Sequence, residues 1–247
     1  MNPSFRQRKE LIRFCGFLYD RGYMVSSDGN LSMRVGDHFL TTPSGRNKGL
    51  IDTDDLVAVD PSGNPLDREA KPSSEFRMHL KVYELRPEIQ AVVHCHPVYA
   101  TAIAASKENL DTCLLTESIV TIGSVPKAPL AIPSTEEIPR SIAPLVPHTD
   151  VLLLQNHGVL AYGKSLEEAY NRLETVEHYA KIQYLLSLSS RANPVHPEDV
   201  ERLEGLRKGY GLDGPFIPCN REQSTSQGNE IDQIAEVVAR ILKEKMR

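Results

Sequence analysis

The chain has 247 residues, 40% hydrophobic and 25% charged, the balance of a folded globular protein, which excludes collagen-like, low-complexity and highly charged disordered classes. Its 28 Lys and Arg against 33 Asp and Glu leave a net charge of −5, and no dense basic run is present to neutralise a row of phosphates, so nucleic acid is excluded as the main partner. No apolar run approaches the roughly 20 residues that cross a bilayer, and the charged stretch from Met1 to Phe17 does not read as a secretory signal.

Phe5, Leu11, Ile12, Cys15 and Leu18 recur at helical spacing and predict an opening amphipathic helix that stops at Gly22. Leu31–Val35 and His38–Thr42 flank Gly36-Asp37 and predict a tight hairpin. Leu56–Val59 reads as a further strand, closed by a Pro- and Gly-rich turn. A helix is predicted from Ser74 to about Leu85, with Ser73 or Ser74 as its cap and Arg86-Pro87 as its stop. Ala91–His96 then reads as a short buried strand, followed by a helix from Pro97 to Ala105. Val151–Leu154 is a second buried strand, and Leu166 to about Ser190 a long helix. The pattern is α/β, or α+β-like, with a central, mainly antiparallel sheet flanked by helices. Cys15, Cys95, Cys113 and Cys219 are scattered without a C-x-x-C pair and read as reduced thiols of a cytoplasmic protein.

Strand side chains alternate faces, so His94 and His96 project to one side of their strand. His157 follows another apolar strand, in an Asn-His-Gly turn at a sheet edge. Three neutral imidazoles suit Zn²⁺ and leave a coordination position for water or a substrate oxygen; by spacing alone, ordinary hydrogen-bonding histidines remain the alternative. His38, His79, His148, His178 and His196 lack convergent partners, although His79 lies one helical turn after Glu75 and could orient it. Lys71-Pro72-Ser73-Ser74-Glu75 sets two hydroxyls and free backbone N–H groups at a helix start, a geometry that holds phosphate, with a carboxylate beside it. A plain helix cap accounts for the same residues locally. Asp28-Gly29-Asn30 and Thr42-Pro43-Ser44-Gly45 offer small donors and approachable backbone, or are simply turns.

In order, G-N-x-S at Gly29–Ser32, T-P-S-G at Thr42–Gly45, P-S-S-E at Pro72–Glu75, V-V-H-x-H at Val92–His96 and N-H-G at Asn156–Gly158 resemble the class II aldolase and adducin-head family over roughly residues 5 to 215. The resemblance implies a homotetramer with one Zn²⁺ per subunit in a cleft between subunits. His94, His96 and His157 would be the zinc ligands, with Glu75 a ligand at rest and the acid/base once substrate binds. Asn30, Ser44, Gly45, Ser73 and Ser74 would hold a substrate phosphate, and Tyr210 would reach the site from the C-terminal part of the domain. The implied activity is reversible cleavage of a ketose 1-phosphate, with L-fuculose 1-phosphate the expected substrate, to dihydroxyacetone phosphate and an aldehyde through an enediolate. L-Rhamnulose 1-phosphate, a 5-deoxypentulose 1-phosphate, decarboxylation of 3-oxo-tetronate 4-phosphate and a non-catalytic adducin-like module stay open. Glu75 stands where the family's pentulose-phosphate epimerases resemble P-S-S-D-T, with a shorter acid, and this difference favours aldol cleavage. Leu115 stands where the fucose-type members resemble one another in carrying a tyrosine.

The domain is expected to span 1–217. Residues 218–229, PCNREQSTSQGN, read as a polar linker, and 230–247 as an amphipathic helix with Ile231, Ile234, Val238, Ile241 and Leu242 on one face. Linker and helix together are similar to the encapsulation peptides of bacterial microcompartment cargo, which would place the enzyme in the cytoplasm inside a shell and make a shell protein its partner.

Overall fold

The computed structural model describes residues 3–110, 113–189 and 192–219, so the 230–247 helix and nearly all of the 218–229 linker lie outside the described residues. The chain opens with helix α1 (Phe5–Asp20), started by a capping box in which the Ser4 hydroxyl accepts from the Gln7 N–H and the Gln7 side chain answers the Ser4 N–H. Gly22, at φ +71°, ends it as expected. Strands β1 (Asn30–Val35) and β2 (His38–Thr41) form the predicted hairpin about Gly36-Asp37, followed by β3 (Val57–Val59). Helix α2 (Phe76–Leu85) starts two residues later than predicted, with Glu75 at its cap position. Strand β4 (Ala91–Cys95) ends one residue short of His96 and leads into α3 (Val98–Ala104).

Several elements were not predicted: α4 (Thr116–Thr121), β5 (Lys127–Ala128), α5 (Glu137–Ile142) and, after β6 (Val151–Leu154), β7 (Gly158–Gly163). Helix α6 (Leu166–Ser187) follows, and α7 (Pro197–Gly205) leads into a 3-10 turn at Arg207–Tyr210. Among the described residues, seven strands lie in the order β3-β2-β1-β4-β7-β6-β5, antiparallel except for the β5–β6 pair. β7 therefore sits inside the sheet between β4 and β6, and His157 belongs to a hairpin turn between interior strands.

Alternation along the strands feeds two cores. Leu31, Val93, Leu153, Val159 and Ala161 face α1, α3 and α6, whereas Val92, Leu152, Leu160 and Tyr162 face α2 and α5. Both faces being covered, β6 and β7 read as continuous apolar runs. The antiparallel pairing brings the start of β1, the ends of β2 and β4 and the β6–β7 turn to one end of the sheet.

The expectation of four reduced thiols is corrected in part. Cys15 and Cys95 are free and buried, but Cys113 and Cys219 are paired as a disulfide across a separation of 106 residues. Cys113, Cys219, Ile119 of α4 and Val200 of α7 form a small third core that ties the C-terminal segment to the body. Among the described residues, no helix is long and apolar enough to cross a membrane.

Candidate metal centre

Cross-strand register sets the three histidines. His94 stands opposite Asn30 of β1 and Leu160 of β7, and Cys95 stands opposite Val159, so the β6–β7 turn closes over the end of β4 beside His96. Two glycines allow this approach. A Cβ on Gly158 would lie 2.5 Å from the Cys95 carbonyl oxygen and 2.6 Å from Cδ2 of His96. Gly29 holds φ +73° with a Cβ position 3.0 Å from the His94 carbonyl, a backbone that strongly favours glycine. Asn156 takes the left-handed conformation, φ +56°, that turns the chain into His157.

The rings converge. Their centroids are 4.7–5.0 Å apart, and one ligating nitrogen from each falls within 4.8 Å of the others. Nδ1–H of the fully buried His94 donates to the Val159 carbonyl (2.9 Å), which leaves its Nε2 lone pair facing the cluster. Nε2 of His96 is 3.1 Å from Nε2 of His94. Glu75 places Oε1 3.2 Å from Nε2 of His157 and Oε2 3.4 Å from Nε2 of His94, while accepting from Nδ2 of Asn30 at 2.9 Å. Four donors bound to zinc at about 2.0–2.1 Å in a tetrahedron stand about 3.3 Å apart, so these residues fit a divalent ion with three imidazoles and one carboxylate.

Electrostatics agree with that role. Burial, reinforced by the neighbouring imidazoles and opposed by Glu75, holds His94 well below the usual histidine range; His96 is lowered for the same reasons, Asp28 also opposing. Both rings are neutral and able to ligate. Burial would raise Glu75, but His94 together with the hydrogen bonds from His157 and Asn30 outweighs it and keeps the carboxyl below its ordinary range.

The expected phosphate residues fall into two groups. Thr42–Ser44 and Lys71–Ser73 pair as a short antiparallel bridge: Pro43 faces Pro72, the Ser44 N–H donates to the Lys71 carbonyl, and the Ser73 N–H to the Thr42 carbonyl. Ser44, Gly45, Ser73 and Ser74 thus gather next to Glu75, whose N–H donates to the Ser73 hydroxyl (3.3 Å). Gly45 is open to solvent, and a Cβ there would meet nothing; Ser74 is also exposed. Asn30 is buried against Glu75 instead, with its Oδ1 unpaired among the described residues. Tyr210 is not brought to the cluster: it is 70% exposed on the 3-10 turn and, among the described residues, makes no hydrogen bond or ring contact with the histidines or Glu75. Leu115 caps α4 and packs, half-buried, on the main core.

Two contributors escape the motif reading. Oδ2 of Asp28 faces Nδ1 of His96 at 3.6 Å, placed to orient that ring. The buried Lys48 donates from Nζ to the Ser27 carbonyl (2.5 Å) and pins the loop that carries Asp28.

Residues 9–184 match the family model described as Class II Aldolase and Adducin N-terminal domain. The chain belongs to this family. It is 34% identical over 176 residues to an L-fuculose phosphate aldolase of Methanococcus maripaludis, covering 71% of this chain and 95% of that one. It is 35% identical over 185 residues to a 3-oxo-tetronate 4-phosphate decarboxylase of Escherichia coli, covering 72% and 86%. Among solved structures, an L-fuculose 1-phosphate aldolase superposes with a TM-score of 0.76 at 32% identity, covering 83% of this chain and 98% of that one. YgbL of Escherichia coli, described as a putative aldolase/epimerase/decarboxylase, superposes with a TM-score of 0.75 at 30% identity, covering 81% and 98%. Membership in the class II aldolase family supports lyase chemistry on phosphorylated sugars.

Proposed function

We propose that this class II aldolase binds Zn²⁺ through His94, His96 and His157, with Glu75 as a fourth ligand at rest, and cleaves a ketose 1-phosphate reversibly, L-fuculose 1-phosphate first among them, to dihydroxyacetone phosphate and L-lactaldehyde. The observation that carries this reading is the convergence of three imidazoles on a half-buried carboxylate. Bound there, zinc supplies Lewis acidity to the substrate's carbonyl and hydroxyl oxygens. In the condensation direction Glu75 removes a proton from the hydroxymethyl carbon of dihydroxyacetone phosphate, and in cleavage it returns one. Asn30, Ser44, Gly45, Ser73 and Ser74 grip the phosphate, fixing register remote from the reacting carbon. Tyr210 acts from the C-terminal segment, once substrate and the other subunits of a homotetramer are in place.

The relatives also support a second reading, decarboxylation of 3-oxo-tetronate 4-phosphate, because the likeness to that decarboxylase is as strong in identity as the likeness to the aldolase. A panel of phosphosugars, scored for dihydroxyacetone phosphate and for carbon dioxide with metal analysis alongside, separates the two. Glu75→Gln is expected to keep part of its zinc and lose cleavage of every ketose 1-phosphate; retained turnover would remove Glu75 from its role. Residues 230–247 are proposed to address the cytoplasmic enzyme to a microcompartment shell. Deleting them should spare turnover and abolish co-purification with shells, and unchanged co-purification would discard the address.

A further inference from the structure

Helix α2 and strand β1 meet through a register of polar side chains that the metal centre does not account for. Asn30, Ser32 and Arg34 alternate along β1, while Glu75 and then His79 and Tyr83 follow at four-residue steps along α2. Asn30 donates to Glu75 at 2.9 Å, Ser32 Oγ lies 2.7 Å from Nδ1 of His79 and 2.8 Å from the Tyr83 hydroxyl, and Arg34 reaches the Tyr83 carbonyl at 3.4 Å. Two strand residues advance about 6.8 Å and four helical residues about 6 Å, which keeps the rungs in step.

His79 is fully buried, and only one of its ring nitrogens is filled: Nε2 has no partner among the described residues. Burial pushes its pKa down to about 3 against the pull of Glu75, so the ring is neutral and carries a single N–H. The protons of Ser32 and Tyr83 suffice for the two hydroxyl links. The imidazole proton is then free to sit on Nε2, the tautomer that a nearby carboxylate favours over a lone pair. A buried N–H without an acceptor costs about 1–3 kcal/mol, which an arriving acceptor would relieve. Helical side chains lean over the preceding turn, which for His79 is the turn of Glu75.

We propose that His79 is a positioning residue for Glu75: Ser32, itself tied to the Tyr83 hydroxyl, holds its Nδ1, and its Nε2–H donates to a Glu75 carboxylate oxygen when substrate draws Asn30 to its phosphate and displaces Glu75 from the metal. This rests on the reading of Glu75 as acid/base and of Asn30 as a phosphate residue. No bond is made or broken at His79; the proton taken from the substrate carbon resides on Glu75.

The test is exchange of the hydroxymethyl C–H of dihydroxyacetone phosphate with deuterium in D₂O, followed by NMR on the zinc-loaded enzyme, which isolates the Glu75 proton step from the aldehyde. His79→Asn keeps an amide near Ser32 and deletes the far donor, whereas His79→Gln carries its amide out toward the Nε2 position. His79→Asn is expected to exchange about 100-fold more slowly with KM and zinc content little changed, and His79→Gln to recover most of the loss. Wild-type rates in His79→Asn, or equal losses in both variants accompanied by lost zinc, would overturn the inference. Should His79→Asn fail to fold, Ser32→Ala removes the hold on Nδ1 and must slow exchange, an unchanged rate again overturning it. Wild-type enzyme that shows no exchange at all would instead sink the proposed function, so the two failures are distinct.

Discussion

Gly158→Ala probes the link between sheet geometry and metal binding. The added carbon would lie 2.5 Å from the Cys95 carbonyl oxygen and 2.6 Å from Cδ2 of His96. Carbon–oxygen contacts in sheets settle near 3.3–3.6 Å and carbon–carbon contacts near 3.5–4.0 Å, so the intrusion is about 0.8–1.1 Å on the oxygen and about 0.9–1.4 Å on the ring carbon. The Cys95 carbonyl belongs to the backbone of the interior strand β4, where Cys95 pairs with Val159 of β7; the His96 ring, a side chain, is therefore the part that yields. Overpacking of this kind costs about 1–3 kcal/mol. A ligand displaced by much of an ångström also exceeds the roughly 0.2 Å tolerance of a metal–ligand bond, so zinc affinity should fall at least ~10–100-fold, the scale of losing a ligand's orientation. Competition against a chromophoric chelator measures that fall, with Gly16→Ala as the matched control: Gly16 lies within α1, a Cβ there meets nothing, and the change should stabilise by about 0.5–1 kcal/mol. Wild-type zinc affinity in a normally folded Gly158→Ala enzyme would refute the reasoning.

Acid should destabilise the metal-free protein. The folded-state pKa values of His94, His96 and His79 lie below the unfolded value, so the unfolded chain binds more protons. Their contribution is complete above about pH 6.5 and is lost as pH falls through 6.5 toward the folded values, at up to about 1.4 kcal/mol per pH unit for each histidine; urea midpoints that stay flat from about pH 7.5 to 5 would contradict this. Arg86→Met should cost about 3 kcal/mol, because the buried guanidinium serves the Val146 and Thr149 carbonyls and Asp150 together; a chemical-denaturation shift under about 1 kcal/mol would count against it. Cys113→Ser should lower stability by about 2–4 kcal/mol and loosen the segment that ends at Cys219. Equal alkylation of Cys113 and Cys219 before and after reduction of the native protein would show that no such bond exists.

Much of the candidate centre was legible because its imidazoles sit on or beside short, periodic elements. The alternation in Ala91–His96 and the apolar run before Asn156 located both halves of the imidazole set, and glycines marked the close approaches. What was missed depends on partners distant in the chain. β7 is apolar on both faces and carries no period that distinguishes it from a loop-bounded core segment. The Cys113–Cys219 pair depends on how α4 and α7 pack, which no local spacing encodes. Asp28 was visible only as part of a turn, and Asn30 was read as a phosphate group without its bond to Glu75. The carry-over of Tyr210 fares least well, since one chain does not bring it to the histidines.

The third core joins two parts of the chain that the sheet does not hold. Leu115 and α4 on one side, and α7 with the Arg207–Tyr210 turn on the other, are fastened to each other through Cys113 and Cys219. His94, by contrast, rides on an interior strand, and His96 and His157 stand at the ends of interior strands. A substitution in that outlying module can therefore be absorbed there without moving the strands that set the imidazoles.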